Sequence, residues 1–328
     1  LVLASMGRKR GEAITEQLSN LAGQAHAADL HATERTARWL LSVVTEEAGD
    51  FEAARQHSLG AAAAGRQADP MTRLNALANT ARCLLQLERE PIRARVLLGE
   101  AQELSESLQT PLLDISWANG LLCSIDGKET EARTAFEQGA AMAEAAKNHW
   151  ARFECLSRLS MLDLAAGNLA GIEGRHAELH AVAAKLGDGS EMALANTLLA
   201  LARRQSGSDA TELEAALSEL RAADSKGLLA YALNEAGRLD LAVGDSRNAA
   251  RCATEALQAA TDVGRHHQQD RARCLQAQAG LFEGDEETTH AFILWSDARL
   301  KDLSPNSSIH KKINHLRQNI FKQREQNK

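Results

Sequence analysis

Gly60 to Gln67 reads G-A-A-A-A-G-R-Q, the glycine spacing of a loop whose backbone N–H groups can cradle phosphate. Such a loop ends in Lys and then Ser or Thr, which reach the phosphates and a magnesium ion. Here Arg66 and Gln67 hold those places and no strand precedes them, so the stretch reads as the middle of a helix. His176 and His180 stand one helical turn apart, and two imidazoles so placed can hold a metal. Glu178 is not where a zinc-protease H-E-x-x-H requires it, and no third ligand follows, so an ordinary helix face is expected. His266 and His267 fall in a connection and are read as solvated. Five cysteines (Cys83, Cys123, Cys155, Cys252, Cys274) are odd in number, at least 22 residues apart, and form no C-x-x-C pair. They are expected to be reduced, buried small residues. No G-x-S-x-G, no strand-borne G-x-G-x-x-G and no catalytic cysteine signature occurs, and the carboxylates are scattered. The residues predict no catalytic centre, no metal and no cofactor: the chain is not read as an enzyme.

The elements that would carry any site are helices. Of 328 residues, 61 are Ala and 47 Leu, while 4 are Pro and 11 aromatic. Pleated sheets draw on β-branched and aromatic side chains, so this composition reads as all-α. The net charge of -7 counts against a protein that wraps nucleic acid. Charge-free stretches such as Ala193 to Ala202 are about half of the ~20 residues that span a bilayer, so no membrane helix is expected. At the start, apolar Leu1 to Met6 precede basic Arg8-Lys9-Arg10, the reverse of a secretory signal, and a cytoplasmic protein is expected. Leu1 is no initiator, which suggests a piece of a longer chain. Helical cores seldom exceed roughly 250 to 300 residues, so the chain should either split into domains or extend as an array.

Breaks between apolar helical runs fall at Gly49-Asp50, Arg89-Glu90-Pro91, Gly127-Lys128, Gly167-Asn168, Gly207-Ser208, Gly244-Asp245 and Gly284-Asp285. From the first residue of each, the spacings are 40, 38, 40, 40, 37 and 40. Gly takes up the left-handed conformation that ends one helix, and Asp or Asn caps the next, so each break is a tight helix-to-helix turn. Small or apolar residues recur five positions after the break (Ala54, Ala94, Ala132, Ile172, Ala249) and twelve after it (Ala61, Ala101, Gly139, Leu179, Ala256). Seven-residue steps return to one helix face, so these positions should meet the preceding helix at close range.

In the third repeat, Gly120, Cys123, Ala132, Phe136 and Gly139 stand at the signature spacing of the tetratricopeptide repeat family, and Ala94, Leu98 and Ala101 match its second helix in repeat two. The chain resembles that family over roughly residues 30–303. The resemblance implies an α-α superhelix of about seven helical hairpins, with residues 1–29 as a partial N-terminal repeat and 304–328 as a C-terminal cap. The period departs from the family's usual 34 or so residues, being about 39 here, and the family's proline after the second helix is present only near Pro70 and Pro111. Long, Ala-rich repeats of this kind look like the helical sensor arrays of bacterial signal-transduction ATPases and transcription regulators.

In that family the first helix of each hairpin lines a concave groove. By position, the residue ten before each break should face it: Trp39, Asn79, Trp117, Ser157, Thr197, Asn234 and Cys274. Arg158, Arg204, Tyr231, Glu235, Arg238, Arg271 and Gln278 are neighbouring candidates. Trp anchors interfaces, so Trp39 and Trp117 could be recognition residues, although a shift of one residue would put both in the core. Asn234 and Arg238, one turn apart, could clamp an amide or carboxylate. The site expected from the resemblance is therefore Trp39, Asn79, Trp117, Arg158, Tyr231, Asn234 and Arg238.

The last segment has apolar residues at Ile309, Ile313, Leu316, Ile320 and Phe321 and carries a charge of +5, against -12 for the rest. It reads as an amphipathic capping helix, with a docking tail as the alternative. The leading expectation is a noncatalytic protein- or peptide-binding array, the sensor or scaffold part of a larger bacterial regulatory protein. The alternatives are a small-molecule sensor and a structural adaptor. An ATPase or effector domain elsewhere in the same chain would go with the sensor readings, and neither membrane nor nucleic acid is an expected partner.

Overall fold

A computed structural model describes residues 12–47, 50–87, 90–187, 189–303, 305 and 307–326. They form sixteen α-helices, and no strand occurs among the described residues. In chain order these are α1 (Glu12–Ala27), α2 (His31–Glu47), α3 (Phe51–Gly65), α4 (Pro70–Gln86), α5 (Pro91–Leu108), α6 (Leu113–Ile125), α7 (Glu129–Ala145) and α8 (His149–Ala166). They continue as α9 (Leu169–Leu186), α10 (Glu191–Gln205), α11 (Thr211–Ala222), α12 (Lys226–Ala242), α13 (Ser246–Asp262), α14 (His266–Glu283), α15 (Glu286–Arg299) and α16 (Ser308–Gln326). All seven expected breaks separate helices. Gly49, Arg89 and the basic run Arg8-Lys9-Arg10 lie outside the described residues, as does the start of the expected partial repeat.

The helices end for a local reason. A residue in the left-handed region recurs at positions 127, 147, 167, 187 and 207, and again at 224, 244, 264 and 284. Within either run the interval is 20, so nearly every helix closes the same way. Five of these are the break glycines, from Gly127 (φ 72°) to Gly207 (φ 102°), where glycine lacks the Cβ that opposes positive φ. The next helix then starts on a side-chain cap: Asp50, Asn168, Asp245 and Asp285 accept the backbone N–H groups of Ala53, Gly171, Asn248 and Thr288.

Two compact units result, Leu1–Cys123 and Ser124–Lys328. In the first unit α1 to α5 pack in sequence order, as do α7 to α16 in the second, and alternate helices also touch: α2 with α4 in the first unit, and α8, α10, α12, α14 and α16 in succession in the second. The residues five and twelve after each break are buried as expected; Ala94, Ala132, Ala249, Ala101 and Ala256 are all 0 % exposed or nearly so, and Gly139 is buried. At the fifth break the turn is longer, α11 starts four residues after Gly207, and the buried pair moves one place to Leu213 and Leu220. Gly237 shows how close the approach is, since a Cβ there would lie 2.5 Å from Leu275 and 3.1 Å from Cys252. α16 packs through Ile309, Ile313, Leu316 and Ile320, whereas Phe321 stays 44 % exposed.

The turn geometry can be tested at Lys147, which takes φ 53° where its counterparts are glycine. Lys147→Gly should stabilise the chain by about 1 kcal/mol and Gly167→Ala should destabilise it by a similar amount, read from urea unfolding.

Candidate functional site

The column ten residues before each break does not open onto a groove. Trp117, Ser157, Thr197, Asn234 and Cys274 are buried, while Trp39 and Asn79 are half-buried. The physical reason is packing between alternate helices. Asn234 Nδ2 donates to Gln268 at both its backbone and side-chain oxygens, 3.1 Å each, tying α12 to α14. Thr197 bonds back to Ala193 O at 2.7 Å, and Asn79 to Asn75 O at 2.7 Å. Asn234 is thus a cross-link in the core, and Arg238, one turn further on, bonds Glu235. The more open side chains stand beside the column: Arg158 one residue after Ser157, Tyr231 three before Asn234, Arg238 four after it.

In the first unit the tryptophans are layered with arginines. Arg35 lies over the Trp39 ring at 5.7 Å, and Arg82 over Trp117 at 4.7 Å. Arg82, 2 % exposed, also bonds Asp114 Oδ1 at 2.8 Å and Gln86 Oε1 at 2.6 Å. Burial lowers the Arg35 pKa, with Asp114 acting against it. Trp117 belongs to this buried stack, and Trp39 packs on the cluster of Leu18, Leu40 and Leu41.

In the second unit the alternate helices bring a charged cluster together. Glu235 of α12 is 6 % exposed and accepts from Arg238 Nε at 2.8 Å and from Arg271 Nη2 of α14. The Arg271 guanidinium also faces the Tyr231 ring, 5.7 Å away. Burial pushes the Glu235 carboxyl up, but Arg271 and Arg238 outweigh it and hold the carboxyl below the ordinary range. Burial pushes the Tyr231 phenol well above its usual value, with Glu235 adding to the effect and Arg271, Arg158 and Arg238 opposing it. Tyr231 is therefore a neutral O–H donor at physiological pH. Lys312 of α16 joins the same group: burial and then Arg271 lower its pKa, with Glu235 pulling the other way. Arg158 Nε and Arg238 Nη2 are buried without a hydrogen-bond partner.

Sequence reasoning marked Arg158, Tyr231, Glu235, Arg238 and Arg271 as neighbours of the groove column, and the structure brings the last four together, with Arg158 within electrostatic range of Tyr231. It missed Lys312, whose only signal was its place in the basic terminal segment. Trp39, Asn79 and Trp117 belong to the other unit, and Gln278 is half-buried on α14.

The remaining candidates are structural. Gly60 to Gly65 lie within α3. The His176 and His180 rings stand 5.4 Å apart, and burial lowers the His176 pKa. His266 and His267 open α14 and are half-buried rather than solvated. The five cysteines form no disulfide with one another, four of them are buried, and burial pushes the Cys252 and Cys274 thiols up to about 12. Among the described residues no group of three metal-ligating side chains occurs, and no helix is long and apolar enough to cross a membrane. No protein-family model and no curated protein sequence matches the chain.

Two substitutions check these placements. Trp117→Ala should cost about 3–5 kcal/mol in urea unfolding, the price of emptying a core aromatic site. Glu235→Gln should cost about 3 kcal/mol near pH 7, because it strips two guanidinium groups of their counter-ion. Glu235 has a depressed folded pKa, so its contribution is complete above the ordinary glutamate value of 4.5 and is lost as pH falls through the folded value. The stability gap between Glu235→Gln and the parent chain should accordingly start to narrow as pH falls below 4.5 and close once pH is under the folded value.

Proposed function

We propose that each unit is a stack of tetratricopeptide-type hairpins and that the chain is a noncatalytic binding module for a protein or peptide. In this reading it serves as the sensor or scaffold part of a larger bacterial regulatory protein. The observation that carries the reading is a set of chemically varied side chains of the second unit (Arg158, Tyr231, Arg238, Lys312), among which Arg158 Nε and Arg238 Nη2 are buried without a hydrogen-bond partner. A preformed surface of that kind binds an extended chain through side-chain contacts, with no reacting group required. Repeats that contact chiefly their neighbours convey occupancy as small changes of stacking. A small-molecule sensor is the second reading, favoured by the two guanidinium groups, Arg238 and Arg271, that bond the single carboxylate Glu235.

A random peptide library selected on the full chain should enrich binders. Their capture should fall at least tenfold on Arg158→Gln, a change that removes no ion pair and should leave helicity intact. An unenriched library, or binders indifferent to Arg158→Gln, would sink the peptide reading.

A further inference from the structure

In the second unit Arg238 and Arg271 bond one carboxylate, Glu235, and two further cations lie within electrostatic range of the same group, Arg158 of Tyr231 and Lys312 of Glu235 and Arg271. The formal sum over the five charged groups is +3. Elsewhere in this unit buried charges are matched. Asp163, 1 % exposed, accepts from Arg133 at 2.9 Å and Arg175 at 2.7 Å. Asp270 takes both Nε and Nη2 of Arg299. Arg221 grips Glu255 through two nitrogens. The cluster departs from that rule. Among the described residues Arg158 and Lys312 form no ion pair, and the Arg158 side chain bonds only the Met161 sulfur, at 3.9 Å.

A buried guanidinium N–H without an acceptor is costly, and positive charges held close together repel one another, a cost that water tempers at Arg238, whose side chain is 39 % exposed. The arrangement is one that an anion would relieve. The chemistry of that anion follows from charge and shape. A single carboxylate leaves the cluster at +2 and offers two coplanar oxygens, which one arginine can already serve. A phosphate monoester carries about -1.5 to -2 charge at pH 7 and presents three oxygens in different directions. The buried donors still to be satisfied, Arg158 Nε and Arg238 Nη2, come from α8 and α12, and Lys312 of α16 adds a cation that has no ion pair among the described residues. Glu235 holds Arg238 and Arg271 in place, and the Tyr231 hydroxyl adds a neutral donor.

We propose that the cluster formed by Arg158, Tyr231, Arg238, Arg271 and Lys312, with Glu235 as its internal counter-ion, is a binding site for a phosphoryl group. This deepens the reading of the second unit as a binding surface and rests on it only for the peptide as carrier. The shared chemistry is a phosphate monoester, whether on a peptide side chain or on a small molecule.

The test uses the full chain with three probes at equal ionic strength: inorganic phosphate, acetate, and a short peptide containing phosphoserine. Calorimetric titration should show phosphate binding at least tenfold tighter than acetate. Arg158→Gln and Lys312→Gln should each weaken phosphate at least tenfold while melting at the parent temperature in acetate buffer. Arg247→Gln, an exposed substitution on α13, should change nothing. A phosphopeptide at least tenfold tighter than free phosphate identifies a peptide carrier, and equal affinity identifies a small molecule. Phosphate no tighter than acetate, or phosphate bound equally by the two variants, overturns the proposal. Peptide selection that succeeds while phosphate fails removes this inference and leaves the peptide reading standing; the opposite result removes the peptide reading alone.

Discussion

Everything in this chain depends on how near one helix can come to the next. Ala94, Ala101, Ala132, Ala249 and Ala256 are fully buried at seven-residue steps, where any larger side chain would hold the helices apart. Gly237 carries the same constraint to its limit, with Leu275, Cys252 and the Ala249 carbonyl all within van der Waals range of an absent Cβ. Close packing of this kind makes interiors intolerant of added volume. It also explains why a third of the residues are Ala or Leu: one supplies the approach and the other fills what remains. With helices of 12 to 19 residues closed by left-handed turns, no single helix can bury its own apolar face, and stability has to come from neighbours.

The polar interior follows from the same stacking. Four ties between alternate helices span a similar number of residues: Arg204 to Asp240, Arg271 to Glu235, Asn234 to Gln268 and Arg221 to Glu255 lie 36, 36, 34 and 34 apart. Each joins one repeat to the next. Such ties add little net stability over an apolar contact, since desolvation offsets much of the Coulomb gain, but losing one partner leaves a buried charge exposed to that full penalty. Asp163 is the clearest case, because one carboxylate of α8 holds Arg133 of α7 and Arg175 of α9. These pairs fix which helix meets which, while the alanines fix the distance.

Much of this was legible in the sequence because it is written in local chemistry. Gly followed by Asp or Asn specifies a turn whatever surrounds it, and small residues at seven-residue steps specify a contact face. What was not legible depends on rotation between helices. A shift of one residue turns a helix by about 100°, so counting ten back from a break placed Trp117 and Asn234 in the open when both are core. The longer turn after Gly207 displaced the contact face of α11 for the same reason: a turn's length is invisible to a count that starts from its glycine. Lys312 escaped notice because its relation to Arg271 and Glu235 arises only when α16 packs against α14, and nothing in the terminal segment encodes that neighbour.

Both units hold a buried guanidinium N–H without a partner, Arg35 Nε in the first and Arg158 Nε in the second, and both also hold cations that are fully answered. In the first, Arg82 is enclosed by Asp114, Gln86 and the face of Trp117, so its charge, hydrogen bonds and stacking are all answered. That is the pattern of a residue retained for packing. In the second, Arg238 and Arg271 share one carboxylate, while Arg158 and Lys312 have none among the described residues. Replacing either of those two by an apolar residue would relieve repulsion, and at Arg158 would also remove an unsatisfied donor, so stability alone gives no reason to keep them. Sites whose local rules are broken without structural compensation are where function is expected to lie; by that criterion the cations of α8, α12, α14 and α16 form one such group, and Arg35 beside Trp39 in the first unit is another.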